Sequence, residues 1–255
     1  MYVTNSGDGT VSIIDTSNTL VGTIVVDRSP RGIAYNPDNQ NMYVSNAGND
    51  TVSIIRSSDN MIISIINVGN RPIGIAYNPD NQNMYVSNAG NDTLSVIDST
   101  TNTVIDTVTV EDEPIAIAYN PDNGYMYETS VGDNTISVIR SDNIVIYTIM
   151  GVDEPYGIAY NPDNGYMYVA NNNANTVTVI GEESLTPPAS PEPKTIGELL
   201  RSIIQNPLYV TNSIDSANQI RDILTDNYSD NDKLVCDLIK GDNQLTSNIR
   251  EILKC

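Results

Sequence analysis

The apolar residues of this chain come in short runs separated by polar turn clusters, and the runs recur as a set. GIAYN is followed by MYVSN, then by TVSIID, then by a fourth run such as TVIDTVTV, before a proline opens the next copy. Pro30, Pro72, Pro114 and Pro155 mark successive copies, at a period of 42, 42 and 41 residues. Each run has the length and β-branched or aromatic content of a strand. Val104, Asp106, Val108 and Val110 alternate with their neighbours as a half-covered strand does, whereas Val52, Ile54 and Ile55 place apolar groups on both faces. A strand apolar on both faces must be covered on both sides, as happens when small sheets stack side by side.

The turns fit the same period. In NPDN the proline presets the first turn residue, Asp caps the backbone locally, and Asn or the following Gly tolerates a left-handed conformation. NAGND and SGDG reverse the chain a second time. Four short strands in about 42 residues are the signature of one propeller blade. The near-identical copies are expected to leave no single position chemically distinct.

The words MYVTN, MYVSN and GIAYNPDN followed by TVSIID or TLSVID resemble the YVTN-type β-propeller repeat, whose name corresponds here to Tyr2, Val3, Thr4 and Asn5. The resemblance covers residues 1–181. It implies a surface-layer-like propeller of archaea or bacteria, a protein of the cell surface or extracellular space, serving cell-surface organisation or ligand binding and commonly built from seven blades.

With strands named A to D from the axis outward, MYVTN is a B strand. The chain then reads B-C-D, three full blades, and A-B-C ending near Ile180: 18 strands, an open or partial propeller of about 4.5 blades. Met1 holds the place that Met42, Met84, Met126 and Met167 hold later. Two readings stay open: a fragment or a start at an internal methionine, and an open arc whose unpaired edges are protected by the tail or by a second copy.

Composition changes after Ile180. Residues 182–194 are proline-rich and read as a semi-rigid linker. Residues 195–255 read as a small α-helical domain: Ile196, Leu199, Leu200, Ile203 and Ile204 fall at helical spacing, and Thr195 with Glu198 forms a capping box. Cys236 and Cys255 both lie there, and whether they pair is left open.

Charge narrows the partners. Residues 1–185 hold 22 Asp and Glu against 5 Arg and no Lys, within a net charge of −20 for the whole chain. Such a surface repels nucleic acid, whose phosphates need clustered Lys and Arg. No apolar run reaches the length that spans a bilayer, and no secretory signal opens the chain as written. With no histidine in the 255 residues, imidazole-based hydrolysis and His-ligated zinc or haem are excluded for them. What remains is a non-enzymatic scaffold for protein or glycan at a cell surface. The alternatives are a propeller enzyme of lactonase or lyase kind and a calcium-binding surface-layer component.

Calcium is the one cofactor the residues suggest. Asp112, Glu113, Asp153 and Glu154 precede the recurring prolines, with Asp8, Asp50, Asp92 and Asp133 in loops expected on the same face, and a hard cation wants many oxygens. Asp and Asn are also what turns require, and NPDNG lacks the Glu of an EF-hand loop. Arg31 and Arg71 are expected to pair with nearby acids, and the recurring tyrosines at 35, 77, 119 and 160 and at 43, 85, 127 and 168 are expected to pack. Asn49, Asn91 and Asn227 head glycosylation patterns. Homo-oligomers are expected to form through open blade edges or the helical tail.

Overall fold

The computed structural model describes residues 1–181, and among them every regular element is a β-strand. The linker at 182–194 and the helical domain at 195–255 lie outside the described residues. The first sheet holds β1 (Tyr2–Asn5), β2 (Thr10–Ile14) and β3 (Leu20–Val25). The second holds β4 (Pro30–Asn36), β5 (Asn41–Asn46), β6 (Thr51–Arg56) and β7 (Met61–Asn67), and the third β8 (Pro72–Asn78), β9 (Asn83–Asn88), β10 (Thr93–Asp98) and β11 (Thr103–Thr109). The fourth holds β12 (Pro114–Asn120), β13 (Tyr125–Ser130), β14 (Thr135–Ile139) and β15 (Val145–Met150), and the fifth β16 (Pro155–Asn161), β17 (Tyr166–Asn171) and β18 (Thr176–Ile180).

Each sheet is antiparallel with its strands in sequence order, so the described residues form an open propeller of five blades, the first and last one strand short. The strands opening blades two to five, β4, β8, β12 and β16, pack against one another in series. Glycine in GIAYN makes that approach feasible. A Cβ on Gly74 would lie 2.5 Å from the Ile115 carbonyl oxygen of the next blade, and one on Gly32 would strike the Ile73 carbonyl. Gly157, in the last blade, has nothing within 4 Å of such a Cβ.

Every reversal repeats one backbone device. Gln40, Gln82, Gly124 and Gly165 take left-handed φ in the first turn of their blades, Gly9, Asp50, Asp92, Asn134 and Asn175 in the second, and Asn18, Asn60, Asn102 and Asn143 in the third. Ser29, Arg71, Glu113 and Glu154 do so in the connection to the next blade. A non-glycine residue there costs roughly 1–2 kcal/mol, least for Asn and Asp. Most of the turns are therefore written in residues that tolerate the angle; Gln40, Gln82 and the connection residues are the departures.

Within NPDN each polar side chain has a task. Asn36 Oδ1 accepts from Asp38 N at 2.9 Å, and Asn78, Asn120 and Asn161 repeat the bond. The last Asn holds a B-strand tyrosine, Asn39 Nδ2 donating to Tyr43 Oη at 2.8 Å and Asn81 Nδ2 to Tyr85 Oη at 2.8 Å. The Asp reaches the next blade: Tyr77 Oη donates to Asp38, and Tyr160 Oη to Asp122 at 2.8 Å. Tyr43 and Tyr85 also cross a seam, donating to Asn102 and Asn143 in the third turn of the following blade at 3.0 and 2.6 Å. The recurring tyrosines thus pack, as their spacing suggests, and also bolt blade to blade.

The core lies in the seams between blades. Tyr43, Val52 and Ile54 of the second blade pack on Ile75, Met84, Val86 and Ile97 of the third, and all but Ile75 are fully buried. The counterparts of Val52 and Ile54 in the last blade, Val177 and Val179, are 60% and 48% exposed because no described blade covers them. Val3, whose counterparts Val44 and Val86 are fully buried, is 38% exposed at the other end.

The two glycines make a paired prediction. Gly74→Ala should destabilise the propeller by about 1–3 kcal/mol through overpacking, while Gly157→Ala should leave stability unchanged or raise it by up to about 1 kcal/mol. Urea melts of both variants of the full chain check this, and equal losses at the two positions would contradict the close approach of β8 and β12.

Candidate functional site

The carboxylates singled out by the sequence gather where each connection between blades passes the second turns of the two blades it joins. The connection is gripped from both sides. On one side Arg71 N donates to Asp50 Oδ1 at 2.8 Å, Glu113 N to Asp92 Oδ1 at 3.2 Å and Glu154 N to Asn134 Oδ1 at 2.7 Å. On the other, Ala89 N donates to Arg71 O, Val131 N to Glu113 O, and Asn172 N to Glu154 O, at 2.9–3.0 Å. The left-handed residue before Pro72, Pro114 and Pro155 is thus held at both its N–H and its C=O. Asp50 and Asp92 act there as clasps.

The remaining acids meet loop partners. Asp133 Oδ2 accepts from Asp112 N at 3.0 Å, Asp153 accepts from Asn173 Nδ2 at 3.0–3.1 Å, and Glu154 Oε2 from Asn172 Nδ2 at 3.0 Å. Arg71 Nη1 pairs with Glu113 Oε1 at 2.9 Å, the structural pairing expected of it; both are well exposed, so the pair is worth about 0–1 kcal/mol. Arg31 instead sits inside β4, one position past Pro30. Local desolvation and the charges of Asp92, Asp133 and Glu113 push the Asp112 carboxyl up from its ordinary value. Among the described residues no group of three or more His, Cys, Asp or Glu side chains is placed to hold a metal ion. Asn49 and Asn91 are exposed in second turns; Asn49 Nδ2 donates to Asp27, and Asn91 Oδ1 accepts from Asn70 N at 3.0 Å. Asn227 lies outside the described residues.

One position departs from the repeat, against the expectation that none would. In four blades the B strand ends in Asn, whose Nδ2 donates to two hydroxyls of the adjoining strand. Asn46 reaches Thr51 Oγ1 at 3.1 Å and Ser53 Oγ at 2.9 Å, and Asn5, Asn88 and Asn171 do the same. The fourth blade reads MYETS where the second and third read MYVSN, placing Ser130 at the Asn position and Glu128 at that of Val44 and Val86. Glu128 is fully buried, opposite Ile117 on β12 and Ser137 on β14, facing the seam with the third blade. Burial pushes its carboxyl up to about 8, against the opposing pull of the Ser130 and Ser137 hydroxyls, and the Glu111 charge adds to the rise. The signal stood in the word MYETS, which periodicity alone reads as one more copy.

This architecture defines a β-propeller repeat protein. Residues 39–148 match the YNCE-like β-propeller family, and the described segment is an array of propeller repeats that resemble the YVTN type. Hydrazine synthase of Kuenenia stuttgartiensis is similar at 25% identity and a TM-score of 0.61, over 66% of this chain and 51% of that one. A protein of unknown function from Desulfotomaculum acetoxidans matches at 18% identity and a TM-score of 0.60, over 71% and 64%. A catalytically inactive histidine-to-alanine variant of virginiamycin B lyase from Staphylococcus aureus, with quinupristin, matches at 13% and 0.64, over 72% and 64%. The chain therefore spans about half to two-thirds of the length of these structures, and the last two matches speak to fold alone. No curated protein matches the sequence.

The buried carboxyl predicts a pH dependence. Its folded value lies above the ordinary 4.5, so the fold favours the neutral form. That stability is complete below about 4.5, is lost as pH rises from there toward about 8, and levels off once the folded carboxyl ionises. Glu128→Gln should equal wild type in acid and exceed it by on the order of 3 kcal/mol at neutral pH, in buffers free of alkali-metal salts. Chemical melts across that range check it; a difference constant with pH would show that Glu128 does not titrate in the seam.

Proposed function

We propose that this protein is a non-enzymatic propeller scaffold that binds protein or glycan at a cell surface or outside the cell. The observation that carries the reading is the acidic face made by the connections and second turns. Glu113, Asp153 and Glu154 lie there on a backbone fixed by interblade clasps, and the acids are concentrated at the last two connections, whereas the earlier two carry Ser29 and Arg71. A rigid acidic surface suits a basic protein patch or a hydroxyl-rich glycan, because little ordering remains to be done on binding. The lyase among the structural neighbours is catalytically inactive in its histidine-to-alanine form, and the 255 residues here contain no histidine. That favours a scaffold over an enzyme of that kind. The uncovered apolar faces of the first and last blades are where a further blade or a second copy would add.

The test pairs binding with turnover. The full chain, probed on an array of cell-surface glycans and with basic envelope proteins, is expected to bind saturably. Joint replacement Asp112→Asn, Glu113→Gln, Asp153→Asn and Glu154→Gln should weaken that binding at least about tenfold, and added salt should weaken it further. Ring opening of lactones or of cyclic depsipeptides by the wild-type chain would overturn the scaffold reading.

A further inference from the structure

The departure at Glu128 changes the chemistry of one seam. In the other blades an Asn amide supplies two N–H groups to a pair of hydroxyl oxygens. In the fourth blade that amide is missing; of the hydroxyls it would have satisfied, Thr135 Oγ1 is buried without a hydrogen-bond partner, and Ser137 Oγ, equally buried, is left with the Glu128 carboxyl to pull on. By strand register Thr135 stands directly opposite Ser130, and Ser137 opposite Glu128. The place of an amide N–H₂ is thus ringed by oxygen.

Donors are too few. Ser130 Oγ lies 3.2 Å from the Glu111 carbonyl oxygen and 3.2 and 3.0 Å from the two carboxyl oxygens of Glu128, and its one proton with that of Ser137, which also pulls on the carboxyl, leaves the other carboxylate lone pairs to be met. The described residues contain no lysine, and none of their arginines contributes to the electrostatics of Glu128. Glu111 is exposed and acidic, so it adds repulsion from a solvated site and no compensation. A buried ionised carboxylate in such surroundings costs several kcal/mol unless a positive charge joins it.

We propose that the seam between the third and fourth blades holds a small monovalent metal cation, of sodium size, in the place vacated by the asparagine amide. Its ligands are the Glu128 carboxylate, Thr135 Oγ1, Ser137 Oγ and Ser130 Oγ, with the Glu111 carbonyl oxygen beside them. All are hard oxygens, and one buried negative charge calls for a single positive charge. The cation does for this blade what the amide protons do for the others: it presents positive charge to the two hydroxyl oxygens and locks β13 to β14. This seam then depends on the ion, while the other seams do not.

The test compares sodium with tetramethylammonium, which is too large to enter, at matched ionic strength and one alkaline pH. Thermal melting of the full chain should show a midpoint higher in sodium by about 3 °C or more, and the sodium NMR line should broaden in its presence. Glu128→Gln should lose both responses. Glu128→Val combined with Ser130→Asn restores the repeat pattern and supplies the amide, so it should remain folded and be indifferent to sodium, which also controls for general salt effects. Equal midpoints in the two salts, a response to calcium alone, or a sodium response that survives in both variants would each overturn the proposal. A rise in stability on acidification with no sodium effect would show that a proton alone neutralises the seam.

Discussion

The described fold depends on the clasp at the residue before each recurring proline. Ser29, Arg71, Glu113 and Glu154 sit at left-handed φ, an angle these side chains do not favour, and the chain must take it to pass from the outer strand of one blade to the inner strand of the next. At three of the four, both backbone polar groups of that residue are held, and at Ser29 the C=O is. Asp50, Asp92 or Asn134 takes the N–H of the last three, and the second turn of the following blade takes the C=O of all four. At about 1 kcal/mol net for each hydrogen bond, the pair offsets the backbone strain and fixes the angle between sheets. With that angle set, the apolar faces of neighbouring blades meet.

The seams join two kinds of contact that work at different distances from the axis. Near it, β4, β8 and β12 approach so closely that Gly32 and Gly74 have no room for a side chain. Farther out, Tyr43 and Tyr85 fill the apolar layer and end in hydrogen bonds to the next blade, so each ring is buried without an orphaned hydroxyl. The Tyr77 to Asp38 bond adds a third tie at the opposite end of the blade from the clasp. Each blade is therefore held at both ends, which gives the acidic loops a rigid base and makes a repeated surface available for recognition.

Glu128 shows how a repeat protein becomes locally distinct without disturbing its fold. Two of the changes in one strand, at Glu128 and Ser130, exchange an apolar side chain for a carboxyl and remove an amide, while pairing with β12 and β14 stays in register at both positions. The strand keeps its backbone bonds, so the cost falls on electrostatics alone. A buried carboxyl with too few donors then makes the stability of one seam answer to pH or to an ion, a property the other blades lack.

The sequence by itself determined the strands, their grouping and the departure from closure, because a period of 42 residues repeats apolar alternation and turn chemistry together. Both are local properties, set by side-chain direction in a strand and by which residues accept left-handed φ. Even the tie of Arg71 to an acid was legible as a pairing of opposite charges. What only the tertiary structure decided is which groups meet across a seam. Sequence spacing alone offered Asp50 and Asp92 as candidate ligands, and the fold turns them to the backbone of the next connection. MYETS read as one more copy, and the stacking of blades buries its Glu and takes away its donors, because burial and the balance of donors are properties of the packed seam and not of the strand.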